Sequence, residues 1–194
     1  MIIIINGTSS SGKSTLSAKL QNRLGDGWLF FSTDGYLGML GSKFDGLHPD
    51  NKEVCEPNDI CYAKAHDDGT YEIVPGALCS KLYVTIPAAL QLLAMQGFNI
   101  IVDSFITTMD DFLFYREKLE KHGLLFIYLY APELVISARE EARGDRLKGS
   151  ALHWLKSFEC EPACDLKFDT SELNINEITN TIVNYVSKCL SINN

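Results

Sequence analysis

Two glycines, a lysine and a serine near the start of the chain have a spacing that suits phosphate binding. Residues 7–14 read Gly-Thr-Ser-Ser-Ser-Gly-Lys-Ser and match the pattern G-x-x-x-x-G-K-[ST]. Glycine at both ends of the loop lets backbone N–H groups turn inward around an anion, because no Cβ stands in the way. In this pattern the ammonium group of Lys13 bridges the β- and γ-phosphates of a nucleotide, and the hydroxyl of Ser14 holds Mg²⁺. The predicted phosphate-binding residues are Gly7, Thr8, Ser9, Ser10, Ser11, Gly12, Lys13, Ser14 and Thr15.

Two aspartates follow predicted strands and are candidates for the chemistry next to the phosphates. Asp34 comes shortly after the aromatic run 28–31, and Asp103 ends the apolar run 99–103. Ligands of open α/β sheets bind outside the carboxyl ends of the strands, so both carboxylates are expected at the ligand edge. We predict a catalytic role for Asp34 and a role in holding Mg²⁺, or its water shell, for Asp103. The alternatives are a turn or cap aspartate at 34 and a capping acid at 103.

A cluster of arginines lies in the second half of the chain. Three of the five arginines fall in the run Arg139-Glu140-Glu141-Ala142-Arg143-Gly144-Asp145-Arg146. Their i, i+4, i+7 spacing puts all three guanidinium groups on one side if a helix continues through the run. Such a cluster can stabilise charge on a transferring phosphoryl group, which favours a lid over about residues 139–158. The alternative is a solvated helix face of Arg/Glu pairs.

The elements that position these residues alternate between strands and helices. Ile2–Ile5 is an unbroken β-branched run, typical of a parallel strand buried on both faces. Leu16, Leu20 and Leu24 then mark one apolar face of a helix that ends at Gly25. Further strands are predicted at 28–31, 99–103, 124–130 and 166–170, with a hairpin at 62–73 around Asp67-Asp68-Gly69. Helices are predicted at 78–95, with a kink or restart at Pro87 left open, at 110–121, from 133, at 147–158 and from 174. Strands that alternate with helices at short spacing predict a parallel α/β sandwich.

Length, charge and cysteine usage limit the class of protein. The 194 residues fit one domain, with a substrate-binding insertion over about residues 36–76. The net charge of −8 argues against a nucleic-acid partner, which needs a basic surface. The apolar runs are too short for a bilayer and the N-terminus lacks a basic region, so we expect a cytoplasmic protein with no membrane partner. The six cysteines contain no C-x-x-C pair and are expected to be reduced thiols.

The motifs together resemble the chloramphenicol 3-O-phosphotransferase family of small phosphate-loop kinases. The matching segments are Ile4–Ser14, Trp28–Phe30 with Asp34, the hairpin near 67–69, Ile100–Asp103, Arg139–Arg146 and Asp165–Thr170, and they span nearly the whole chain. The R-E-x-A-R-G-D-R run with Asp34 is much more specific than the phosphate loop. The resemblance implies an α/β three-layer sandwich of the P-loop NTPase type, related to nucleotide and shikimate kinases, with a mainly parallel five-stranded sheet and a helical lid.

The resemblance also implies roles at matching positions. Asp34 would accept the proton of the acceptor hydroxyl, Lys13 and Ser14 would hold ATP and Mg²⁺, and Arg139, Arg143 and Arg146 would belong to the lid. The predicted activity is an ATP- and Mg²⁺-dependent transfer of phosphate to a hydroxyl group of a small molecule. An antibiotic of the chloramphenicol type and a metabolite both remain open as the acceptor, and a homo-oligomer remains open as the assembly. The alternatives are a nucleotide or nucleoside kinase, and a nucleotide-binding switch or ATPase module that acts through a protein partner.

Overall fold

The computed structural model describes residues 1–41, 59–144, 147–155, 158–159 and 161–192. The strands are β1 Ile2–Asn6, β2 Trp28–Ser32, β3 Cys61–Ala65, β4 Tyr71–Pro75, β5 Asn99–Asp103, β6 Leu124–Tyr130 and β7 Leu166–Asp169. The α-helices are α1 Lys13–Leu24, α2 Thr33–Leu37, α3 Ala77–Tyr83, α4 Ile86–Met95, α5 Met109–Leu119, α6 Glu133–Arg143, α7 Ser150–Leu155 and α8 Ile175–Ile192. Short 3₁₀ turns lie at Gly38–Leu40, Glu120–His122 and Glu161–Ala163.

Five of the strands form one parallel sheet in the order β2-β5-β1-β6-β7. β1 lies in the middle, with Ile2 in register with Ile100 of β5 and with Leu124 of β6. The four isoleucines at 2–5 are completely buried, because a central strand between two helical layers has no face towards water. The predicted five-stranded parallel sheet is therefore confirmed.

Alternation along β1 divides the core into the two interfaces of a three-layer sandwich. Ile2 and Ile4 pack with residues of α4 and α5, whereas Ile3 and Ile5 pack with residues of α1 and α8. Successive side chains of a strand point to opposite faces, so one short strand supplies both interfaces. Complete burial of an isoleucine contributes about 1.5–3 kcal/mol, which makes these four residues a large part of the driving force for folding.

The predicted hairpin is present, and the predicted helix at 78–95 is two helices. β3 and β4 pair antiparallel, with Cys61 opposite Pro75 and Ala65 opposite Tyr71. α3 ends at Tyr83, and α4 begins at Ile86 with Pro87 in its first turn, where the missing N–H of proline has no helical partner to lose. Of the predicted insertion at 36–76, residues 42–58 lie outside the described part of the chain.

One helical segment in the described ranges, Ala77–Met95, is long and apolar enough to cross a membrane by length and composition. In the fold this segment is the α3–α4 pair. Ile86, Pro87 and Leu90 of α4 are buried, and Ile86 and Leu90 join the core cluster beneath the sheet. Those contacts explain part of its apolar character by packing within the domain.

Candidate active site

The loop between β1 and α1 has the backbone that its glycines allow. Gly7 has a φ of 143° and Gly12 a φ of 100°, both in the region that favours glycine. A Cβ at Gly7 would also collide with the carbonyl oxygen of Leu129 on β6. The hydroxyl oxygens of Ser10 and Ser11 are buried and find no hydrogen-bond partner among the described residues. Such unpaired donors are suited to a polar ligand in the loop.

The structure brings the predicted magnesium residues together. Ser14 is the second residue of α1 and is exposed, and its Oγ donates a hydrogen bond of 2.5 Å to Oδ2 of Asp103 at the end of β5. A serine hydroxyl next to a carboxylate is an oxygen donor set that fits Mg²⁺. A role of Asp103 in holding Mg²⁺ stays a prediction.

Lys13 folds back over the loop. Its ammonium group donates a hydrogen bond of 2.8 Å to the carbonyl oxygen of Thr8. Lys13 and all residues from Ser9 to Thr15 line one large cavity of about 980 Å³. The predicted loop residues from Ser9 to Thr15 therefore face a common space, whereas Gly7 and Thr8 do not line it.

Asp34 lines the same cavity as Lys13 and is exposed. It is the second residue of α2, and the hydrogen bond that caps this helix is accepted by Ser32 Oγ from the N–H of Gly35, at 3.1 Å. The residue that caps this helix is thus Ser32, and a catalytic role for Asp34 stays a prediction. Its carboxylate stands at the carboxyl end of β2, where the sequence predicted it.

Arg139 is tied to the rim of the phosphate loop. Its guanidinium donates to the hydroxyl and to the carbonyl oxygen of Thr170, both at 2.8 Å, and to the carbonyl oxygen of Ser10 at 3.4 Å. Arg143, one turn later, is exposed and lines the cavity. Both therefore lie beside the predicted nucleotide site.

The three arginines were expected on one side only if a helix continued through the run from Arg139 to Arg146. The helix does not continue through that run, so this condition is not met. α6 ends at Arg143 because Gly144 adopts the left-handed conformation, with a φ of 66°. Arg146, the third arginine of the pattern and a predicted nucleotide-binding residue, lies outside the described residues.

Glu140 has a structural role that the sequence did not reveal. Its side chain is buried, with 3 % exposed. Its carboxylate accepts hydrogen bonds from the N–H of Gly149 at 2.6 Å, the hydroxyl of Ser150 at 3.0 Å and the N–H of Ala151 at 2.8 Å. It therefore holds the beginning of α7. The sequence signal for its burial was that Glu140 lies four residues after Ile136, a buried residue on the same face of α6.

Thr8 of the phosphate loop holds the same helix from the other side. Its buried hydroxyl donates a hydrogen bond of 2.8 Å to the carbonyl oxygen of Ala151. The loop, α7 and α6 are thus joined through Thr8, Ala151 and Glu140. A shift of α7 would therefore move or break the hydrogen bond that Thr8 of the phosphate loop makes to it.

Several of the residues that line the cavity are aromatic or apolar. Phe105 and Trp154 meet edge to face with ring centroids 5.4 Å apart, and Tyr83 donates a hydrogen bond of 3.1 Å to the carbonyl oxygen of Phe105. Burial, with a smaller contribution from Cys61, raises the pKa of Cys79 to about 11, so that this thiol is neutral at pH 7. Further apolar residues of the lining are Leu37, Ile73, Pro75 and Val84.

A parallel five-stranded sheet between helical layers, with this loop after its central strand, defines a P-loop kinase fold. The chain belongs to the chloramphenicol phosphotransferase-like protein family, whose model matches residues 1–187. It is accordingly a phosphotransferase that acts on hydroxyl groups, a small-molecule kinase. The family expected from the motifs is confirmed.

Solved structures of kinases share the fold at low sequence identity. A sugar kinase from a Janibacter species matches with a TM-score of 0.64 and 16% identity over 96% of this chain and 94% of its own. A gluconokinase from Sinorhizobium meliloti matches with a TM-score of 0.61 and 20% identity, over 99% and 96%. The shikimate kinase of Aquifex aeolicus matches with a TM-score of 0.53 and 17% identity, over 98% of both chains. No curated protein sequence matches the chain.

Proposed function

We propose that this protein is an ATP- and Mg²⁺-dependent kinase that phosphorylates a hydroxyl group of a small, partly apolar molecule, with antibiotics of the chloramphenicol type among the candidate acceptors. The observation that carries the proposal is one continuous cavity. The phosphate loop, Asp34 and the aromatic side chains of Phe105 and Trp154 all line it. A donor and an acceptor can therefore meet at the carboxylate of Asp34.

The loop side of the cavity supports ATP as the donor. The glycines at 7 and 12 shape a loop that opens α1, and the positive end of a helix dipole favours phosphate. Lys13 would leave the carbonyl oxygen of Thr8 to contact the β- and γ-phosphates. Ser14 and Asp103 would hold Mg²⁺, which when bound neutralises charge that builds up on the phosphates.

Asp34 supports transfer to a hydroxyl group. The acceptor oxygen attacks the γ-phosphorus, the bond from that phosphorus to the bridging oxygen of ATP breaks, and ADP leaves. The proton of the hydroxyl passes to the Asp34 carboxylate. A positioned general base typically contributes about 10²–10⁴-fold in rate.

Arg139 and Arg143 are the proposed lid cations. Arg139 is fixed by Thr170 and would contact the nucleotide from the end of β7. Arg143, exposed on the last turn of α6, would stabilise the charge on the phosphoryl group as it transfers. Both arginines would therefore act on the phosphates of ATP, the phosphoryl donor.

The test compares ATP consumption with phosphorylated product across a panel of hydroxylated antibiotics, nucleosides and sugars. We expect ATP loss that depends on an apolar hydroxylated compound and yields one phosphorylated product for each ATP consumed. Consumption that depends on nucleosides would favour the nucleoside-kinase alternative. Hydrolysis without any acceptor would favour a nucleotide switch and contradict the proposal.

Asp34→Asn provides the residue-level control for the same assay. The amide keeps the shape of the carboxylate but cannot take a proton, so we expect unchanged ATP affinity and a loss of transfer of about 10²–10⁴-fold. Asp26→Asn, a change in the exposed turn before β2, should leave transfer unaltered. Normal transfer by Asp34→Asn would remove Asp34 from the mechanism.

A further inference from the structure

We propose that His66, Glu72 and His153 form a binding site for a divalent transition metal, best suited to Zn²⁺, which joins the β3–β4 hairpin to α7. The three residues are called the hairpin–helix cluster below. They lie outside the group of residues assigned to the nucleotide and to Mg²⁺. The inference therefore does not depend on the proposed reaction.

The hairpin supplies two of the three donors on one face. Glu72 lies opposite Lys64 in the β3–β4 pair, and His66 follows two residues after Lys64, which puts all three side chains on the same side of the ribbon. Nε2 of His66 is 3.2 Å from Oε2 of Glu72. The turn at Gly69 fixes this register, because the N–H of Gly69 donates to the carbonyl oxygen of His66 and the N–H of His66 to that of Thr70.

The third donor comes from a different element. His153 of α7 stacks on His66 with ring centroids 4.6 Å apart and planes 18° from parallel. One potential ligand atom from each member of the cluster lies within 4.8 Å of the other two. Tetrahedral ligands at 2.0–2.1 Å from zinc are about 3.4 Å apart. The separations in the cluster therefore have to close by at most about 1.4 Å to reach tetrahedral zinc geometry.

The donor set selects the metal. Two imidazole nitrogens and one carboxylate oxygen suit Zn²⁺ and leave a fourth position for water, whereas Mg²⁺ prefers oxygen ligands alone. The nearest competing cation is the Lys64 ammonium, 3.6 Å from Glu72 Oε2. Its side chain is 57 % exposed, so it can turn into water when a metal ion takes the carboxylate.

Binding here would fix one wall of the large cavity. Trp154 follows His153 in the chain, contacts its ring edge to face at 5.1 Å and lines the cavity. The two elements already touch nearby, since a Cβ at Gly149 would lie 2.9 Å from the carbonyl oxygen of Gly69. A metal ion would thus stabilise a contact between the β3–β4 hairpin and α7 that is already close in the fold.

The test is a titration of the full-length protein with Zn²⁺ against a chromophoric chelator, without nucleotide. We expect one Zn²⁺ per chain and a rise in the unfolding temperature when zinc is added. His66→Gln and His153→Gln should each weaken zinc binding by at least about tenfold and remove the rise in unfolding temperature. Co²⁺ in place of zinc should give the visible absorption of a tetrahedral site in the wild type only.

His122→Gln is the matched control, because His122 lies in the turn before β6, beside the N-terminus. This variant should bind as much zinc as the wild type. Zinc binding that survives in the His66→Gln, His153→Gln double variant would place the ion elsewhere, for example on the thiols, and overturn the proposal. Absence of zinc binding by the folded wild type would overturn it equally.

Discussion

Ser14 and Asp103 are 89 positions apart in the chain and make a short hydrogen bond at the edge of the sheet. β5 lies next to β1 in the sheet, so the end of β5 comes beside the first turn of α1. Asp34 reaches the same edge because β2 lies on the other side of β5. At the scale of single residues, the order of the strands in the sheet brings these side chains together. Each of them lies at or shortly after the carboxyl end of a strand.

Lys13→Ala tests the phosphate loop at this scale. The side chain bonds a loop carbonyl and lines a cavity, so its loss should leave the fold intact and reduce phosphoryl transfer about 10²–10³-fold. Turnover is measured with an acceptor found in the screen. Lys19→Ala, on the same helix and bonded to Asn176, should keep full turnover. Near-normal activity in Lys13→Ala would show that the loop does not serve the reaction.

At the scale of elements, α7 is held from both sides by buried hydrogen bonds. Glu140 of α6 binds its first turn, and Thr8 binds the carbonyl oxygen of Ala151 within it. A helix of six residues is too short to be stable alone, so these contacts determine its position. The wall formed by Trp154 depends on the same contacts.

Glu140→Gln should loosen that attachment. The amide nitrogen would face N–H and O–H donors that now bind a carboxylate, which should cost on the order of 2 kcal/mol of unfolding free energy. Denaturant unfolding measures the stability, and the acceptor assay should show a raised KM because the wall moves. Glu141→Gln is the neighbouring control, since Glu141 is 69 % exposed and pairs with Lys148 at the surface. Equal stability in both variants would contradict the anchoring role of Glu140.

At the scale of the whole molecule, the strands could be predicted to within a residue or two. A parallel strand covered on both faces reads as a continuous apolar run, and its end is marked by a polar residue such as Asp103. The capping box at the start of α8 was equally local, with Asn174 Oδ1 accepting from the N–H of Glu177 and Glu177 Oε2 from that of Asn174. Each of these signals lies within a few neighbouring residues.

The features that could not be predicted depend on contacts between distant segments. Glu140 looks like half of an exposed acidic pair until α7 turns back onto it, and Gly144 ends α6 at a point where the charge pattern would allow it to continue. The stacking of His66 on His153 joins residues 87 positions apart that have no common pattern in the chain. The positions of the candidate residues were thus predictable where they follow strand ends, and not where they depend on the packing of α7 against α6 and the hairpin.

Nucleotide binding should stabilise the entire domain, because the cavity is lined by residues from both ends of the chain. A ligand at 100 times its Kd adds about 2.7 kcal/mol to the unfolding free energy. For a domain of this size that corresponds to a rise in Tm of about 5–11 °C. Thermal unfolding with and without ATP and Mg²⁺ measures the rise, and Lys13→Ala should reduce it. An unchanged Tm at saturating ATP would contradict nucleotide binding.

The central position of β1 has a consequence for synthesis of the protein on the ribosome. Ile2 pairs with Ile100 and Leu124, so β1 is made well before either of its partner strands. At about 5–20 residues per second, the delay between the synthesis of β1 and that of β5 is roughly 5–20 s. Throughout that time the nascent chain carries four consecutive isoleucines, a segment with high β-propensity and no charge. We therefore expect binding of a chaperone to this segment to suppress aggregation until β5 has been made.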